Sequence, residues 1–221
     1  TRHCAIAVDV MIEAQLERTA AECQHIAEQW QATLTAIDQL YMVRAFHRAE
    51  SLAHHALSDA IEQLPSEYRE ELLEQLADEQ RHVDVFADWQ EDEADTIRAP
   101  KNKARNPHVW FTLLLINEIT GFCQFHMLYG LQGDPKRAAA VAQIVDDETR
   151  HIKRLLRWLK PFEETPSKGE IYNIIHAFRS KLVQRMSQFL PRDEVAELRE
   201  QMAASIDHLL ASLTSNFGPA T

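Results

Sequence analysis

Turn-forming residues and thiols are scarce in this chain. Five glycines and eight prolines in 221 residues leave little room for an all-β fold, which depends on tight turns between many short strands. The three cysteines, Cys4, Cys23 and Cys123, form no C-x-x-C and no zinc spacing, and so read as free thiols of a reducing, cytoplasmic setting. Basic charge is short as well. Lys and Arg number 23 against 34 Asp and Glu, a formal net charge of −11, which makes a nucleic-acid backbone a poor partner. No apolar run reaches the roughly 20 residues of a membrane span, because the run 110–116 is broken at once by Asn117 and Glu118. No secretory signal is visible. Residue 1 is Thr rather than Met, which leaves an upstream segment open.

What the chain has in quantity is helical periodicity. The prolines fall between helical patterns or in their first turns. Asn106-Pro107 and Asp134-Pro135 have the form of an N-cap followed by the first helical residue. Gly130 and Gly133 fit the end of the helix before them. The pattern predicts helices over roughly 8–34, 38–63, 66–91, 107–130, 135–160, 168–190 and 192–215. Only 93–106 reads as a long connection, a crossover between two helical hairpins. The expectation is a single all-α domain over 1–221, with a four-helix core at 38–160 and flanking helices in 1–37 and 161–221. The last two helices carry plain apolar stripes, Ile171 to Phe189 and Val195 to Leu213, suited to packing on a bundle or a partner subunit.

One stretch is spelled twice: Asp-Glu-Gln-Arg-His at 78–82 and Asp-Glu-Thr-Arg-His at 147–151. Both interrupt an apolar stripe. The first stripe runs Tyr68, Leu72, Leu76, Glu79, Val83, Phe86, with His82 beside it. The second runs Val141, Ile144, Glu148, Ile152, Leu155, Leu159, with His151 one turn on. The other two core helices hold one acid each, in the stripes Val43, Phe46, Glu50, Ala53, Leu57 and Phe111, Leu114, Leu115, Glu118, Phe122, Phe125. Four carboxylates and two histidines therefore face inward. A lone buried carboxylate costs several kcal/mol or takes up a proton. Arg81 and Arg150 stand two positions after their Glu, on another face. Bound metal ions solve the problem directly, and carboxylate with imidazole suits iron or manganese. The order also repeats: Glu79 follows Glu50 by 29 residues, and Glu148 follows Glu118 by 30. One Glu from each of two helices and Glu-x-x-His from each of the others is the ligand set of a di-iron helix bundle. The alternative is a coincidental salt-bridge network.

On these motifs, residues 38–160 resemble the ferritin-like di-iron carboxylate superfamily. That superfamily includes bacterioferritin, rubrerythrin, the ribonucleotide reductase small subunit, bacterial multicomponent monooxygenases, acyl-carrier desaturases, demethoxyubiquinone hydroxylase and tRNA-hydroxylating monooxygenases. The flanks carry no such resemblance, and no subfamily is singled out. The resemblance implies a ferritin-like four-helix bundle with a long crossover between its second and third helices. It further implies that Glu50, Glu79, His82, Glu118, Glu148 and His151 hold two iron ions, or a manganese–iron pair. Asp-Glu-x-Arg-His is closer to the oxygen-activating branch than to storage ferritins. In that branch the Asp accepts a hydrogen bond from the metal-bound His of the opposite hairpin. Carried over, Asp78 orients His151 and Asp147 orients His82, with Arg81 and Arg150 alongside. The other reading makes these Asp and Arg residues exposed helix charges.

Gly121, one turn after Glu118, either leaves space for dioxygen or substrate, walled by Phe46, Leu114, Phe122 and Phe125, or lets a neighbouring helix approach. His54 is an extra ligand or an ordinary histidine. Tyr41 and Tyr129 are either redox-active or, since neither is tied by spacing to a ligand, core residues, and the core is the expectation. Ile144 stands where relatives that oxidise aryl amines carry a third histidine, which argues against that branch. The leading expectation is a non-haem di-iron oxygenase or oxidase, acting with dioxygen on a small organic substrate. An electron-transfer partner and a homodimer are both compatible with it. The alternatives are a ferroxidase or iron-handling protein, and a non-catalytic, metal-stabilised partner-binding bundle.

Overall fold

The computed structural model describes residues 2–90, 103 and 105–219, with side chains from residue 9 onward. All regular structure among them is helical: α1 (Arg2–Trp30), α2 (Ala36–Gln63), α3 (Arg69–Asp88), α4 (Pro107–Leu131), α5 (Pro135–Leu159), α6 (Ser167–Arg179), α7 (Leu182–Phe189) and α8 (Ala196–Leu213). Short 3-10 turns precede α3 and α8 and follow α5. None of these helices is long and apolar enough to cross a membrane. Most of the predicted connection 93–106 lies outside the described residues.

Local chemistry accounts for the helix starts. Thr35 and Asp38 form a capping box at α2: Thr35 Oγ1 accepts from the Asp38 amide at 3.3 Å, and Asp38 Oδ2 accepts from the Thr35 amide at 2.8 Å. Arg192 Nε reaches the other Asp38 oxygen at 2.7 Å, which ties the α7–α8 connection to this cap. Asp134 accepts from the Lys136 amide at 2.8 Å ahead of Pro135. Asn106 precedes Pro107 without a side-chain cap bond.

Three features depart from the sequence expectation. The helix predicted over 168–190 is two helices, α6 and α7. Its stripe serves two surfaces, α6 packing on α4 and α7 on α8 and α2, and one straight rod cannot face both. Arg179, the last residue of α6, is held by both carboxylate oxygens of Asp207 on α8 at 2.6 and 2.9 Å, where the chain turns. The second correction concerns Gly130. It lies inside the last turn of α4, and no glycine among the described residues has a positive φ. A Cβ there would stand 2.8 Å from the Ala27 Cβ, so this glycine lets α1 lie close against α4. Third, Tyr41 and Tyr129 are exposed rather than in the core, at 43% and 40% of their surface.

One connected apolar cluster draws on all eight helices. At its centre α4 is buried on all sides, from Trp110 and Phe111 through Ile119 and Phe125 to Met127, and packs on α1, α2, α5, α6 and α8. Helices α4 with α5, α2 with α3, and α1 with α4 share the most extensive contacts. Between α3 and α5 the ion pairs count in opposite directions: Glu74 with Arg154, Asp78 with Arg150, Asp147 with Arg81. These two helices are therefore antiparallel. Because α4 and α5 are joined by the short link 132–134, α3 and α4 run the same way.

Candidate metal centre

Glu50 from α2, Glu79 and His82 from α3, Glu118 from α4, and Glu148 and His151 from α5 meet in one buried cluster, none more than 4% exposed. They fall into two overlapping groups, Glu50, Glu79, His82, Glu148 and Glu79, Glu118, Glu148, His151. Within each, one ligand atom per residue lies within 4.8 Å of all the others. Glu79 and Glu148 belong to both groups. Glu50 with His82, and Glu118 with His151, belong to one each.

Each imidazole has two faces with different partners. His82 Nδ1 points into the cluster, 3.3 Å from Glu50 Oε2, 3.5 Å from Glu79 Oε2 and 3.7 Å from Glu148 Oε1. Its Nε2 donates to Asp147 Oδ2 at 3.2 Å. His151 Nδ1 lies 3.0 Å from Glu118 Oε2 and 3.7 Å from Glu79 Oε1, and its Nε2 donates to Asp78 Oδ2 at 3.0 Å. Each histidine thus crosses to the Asp of the opposite hairpin, which leaves Nδ1 facing the clustered carboxylates as the candidate ligand atom.

The two arginines close this layer. Arg81 donates to Asp78 at 2.6 Å and Asp147 at 2.8 Å; Arg150 donates to Asp147 at 2.7 Å and Asp78 at 3.0 Å. The ring Asp78–Arg81–Asp147–Arg150 has approximate two-fold symmetry, with half-exposed arginines above near-buried aspartates. Gln143 adds a bond to Asp147 at 3.1 Å.

Charge in the cluster is strained. Burial first, and then the Glu50 carboxylate, push Glu79 up to about 7. Burial and then Glu118 push Glu148 well above the carboxylate range. The histidines go the other way from what burial favours. Hydrogen bonds to Asp147, Glu50 and Glu79 outweigh desolvation and lift His82 to about 12. The charge of Glu118 and the bond to Asp78 lift His151 to about 9. Asp78 and Asp147 are held below the usual range against their own burial, by His151 and Arg81 and by His82 respectively. Without a metal, protons must balance the buried acids. Even so, the Glu79 Oε1 atom is buried with no hydrogen-bond partner. A buried carboxylate oxygen without a hydrogen bond, among imidazole nitrogens and three further carboxylates, is a donor set that could hold a metal ion.

The remaining predicted residues divide. At Gly121 a Cβ would stand 3.2 Å from Glu148 Oε2 and 3.2 Å from the Phe125 ring, so the room it leaves is used by the Glu148 carboxylate itself. Phe46 and Phe125 pack at 4.8 Å with their rings tilted, and both stack on Phe86, at 5.1 and 5.7 Å. Phe125 lies 6.5 Å from His82, ring to ring. Phe122 turns away onto His126, at 4.5 Å, and Leu114 is buried one turn before Glu118. His54 is half-buried against His55 and belongs to neither ligand group. A cavity of about 130 Å³ lies elsewhere, between Tyr172, His176 and Arg179 of α6 and Thr214 beyond α8.

Two residues of this site are not marked by the sequence pattern. Phe86 reads there only as core. Gln75 is fully buried and donates from Nε2 to Glu118 Oε1 at 2.8 Å. Its spacing, one turn before Glu79 on the same face, is the one signal the chain offers. Comparison with protein-family models, with curated proteins and with solved structures returned no significant match.

Proposed function

We propose that α2–α5 form a ferritin-like four-helix bundle holding two metal ions, and that the protein is a non-haem di-iron oxygenase or oxidase of a small organic substrate. The observation that carries this reading is the pair of overlapping ligand groups, each with one terminal Glu and one His, sharing Glu79 and Glu148. Glu50 and His82 would hold one ion, Glu118 and His151 the other, and Glu79 and Glu148 would serve both. Such an iron pair, when bound, supplies electrons to dioxygen and oxidising power to a nearby organic molecule.

The chain's own residues prepare that chemistry. Asp147 and Asp78 fix the histidine tautomers so that Nδ1 is the ligand atom, and increase its basicity. The Arg81 and Arg150 ring covers this layer, while His151 and Arg81 keep Asp78 ionised and His82 keeps Asp147 ionised. Phe46, Phe86 and Phe125 give the His82 side an apolar wall that excludes water from a reactive site. Reducing equivalents come from an electron-transfer partner or from the substrate.

The deciding experiment is an anaerobic Fe(II) titration of metal-free protein followed by oxygen uptake. Saturation at about two irons per chain, with a transient absorbing species on oxygen addition, is the expected result. Turnover of many irons per chain would assign the protein to iron handling instead. Failure to bind iron or manganese would remove the metal centre.

A further inference from the structure

The cluster is pseudo-symmetric in its ligands, yet one buried residue breaks the symmetry. Gln75 stands one turn before Glu79 on α3, and the matching place before Glu148 on α5 is Ile144. Gln75 is wholly buried and Ile144 is 1% exposed. The Gln75 amide gives its N–H to Glu118 Oε1 at 2.8 Å, while the other oxygen of that carboxylate, Oε2, faces His151 Nδ1 at 3.0 Å. Glu118 is therefore held by one oxygen and presented by the other. Ile144 has no hydrogen-bonding group to offer Glu50. The Gln75 carbonyl oxygen is itself buried without a partner, so an apolar residue would be the more stable choice unless the amide has a task. The aromatic wall adds to the asymmetry, because Phe125 lies 6.5 Å from His82, ring to ring.

We infer that Gln75 is a positioning residue that makes the two metal positions unequal. It locks Glu118 as a one-oxygen ligand and so creates a preorganised position at Glu118 and His151 that fills first. The position at Glu50 and His82 would fill second, because Ile144 offers Glu50 no matching amide bond. This inference rests on the metal-centre reading above.

The test is a titration of metal-free protein with Co(II) alone, anaerobically, followed by calorimetry and by visible absorption. The wild-type chain is expected to bind in two resolved steps. His151→Ala removes the tighter step, and His82→Ala keeps it. Gln75→Leu retains two ions but weakens the tighter step about ten- to a hundredfold, the usual effect of losing a partner that orients a ligand. It also shifts the Co(II) absorption of that step, which a purely structural role would leave in place. Gln75→Met, unbranched and apolar, is read in the same way should the leucine variant not fold. A single unresolved step in the wild type, a tight step that follows His82, or unaltered steps in both Gln75 variants would overturn the inference and leave the metal centre standing. Absence of any Co(II) binding by the wild type would instead fail the metal-centre reading, and this inference with it.

Discussion

Six buried side chains form the cluster, and their substitution separates proposed ligand from scaffold. Glu79→Ala and His151→Ala are expected to lose bound metal while circular dichroism stays helical, since the helices are held by the surrounding apolar cluster. Full metal retention in both variants would remove the ligand assignment. Gly121→Ala probes the site without replacing any of the six residues. Its Cβ would press on Glu148 Oε2 and Phe125, both at 3.2 Å, and a crowded core costs about 1–3 kcal/mol. The expected outcome is weaker metal binding with a modest loss of stability. A Gly121→Ala chain that binds metal as tightly as wild type would show that the Glu148 carboxylate has room to move.

Among the helices, α1 and α4 meet more closely than side chains usually permit. Gln24 on α1 bonds His126 on α4 at 3.1 Å, and Gly130 faces Ala27. Gly130→Ala would place two methyl carbons 2.8 Å apart, so the helices must separate. A loss of about 1–3 kcal/mol is expected in chemical denaturation, recovered in part by Ala27→Gly. If Gly130→Ala is instead stabilising through its better helix propensity, the contact is softer than its geometry suggests. The break between α6 and α7 follows the same logic of surfaces. Periodicity in a continuous stripe predicts one helix, but the stripe has two different neighbours.

The whole molecule responds to pH through its buried cluster. Glu79 rises from 4.5 to about 7, so the folded metal-free chain keeps a proton that the unfolded chain releases, and stability falls as pH climbs through that window. His151 rises from 6.5 to about 9; its contribution is complete below 6.5 and is lost as pH passes 9. Asp78 is lowered from 3.8, so its contribution is present above that value and lost on acidification. The metal-free protein should therefore lose stability steadily from pH 4.5 to 9, read as denaturant midpoints. Saturating divalent metal, which displaces those protons, should flatten the slope or reverse it. A flat profile without metal would mean that the cluster does not store protons.

The helical class, the order of the four helices α2–α5 and the six inward-facing residues were legible in the chain because each depends on local periodicity. Glu79 and Glu148 stand out in an apolar stripe without knowledge of any neighbour, and two matched hairpin spacings pair them with Glu50 and Glu118. The place of Asp78 and Asp147 entered through a family resemblance; the crossed hydrogen bonds to His151 and His82 are contacts between helices, which no single helix pattern encodes. For the same reason Gln75 stayed hidden, since its meaning lies in Glu118 on another helix. Gly121 and Gly130 were visible as glycines, but what fills the space beside each depends on which helix packs there. Periodicity tells a side chain to turn inward. What it meets there is set by long-range packing, which joins residues tens of positions apart.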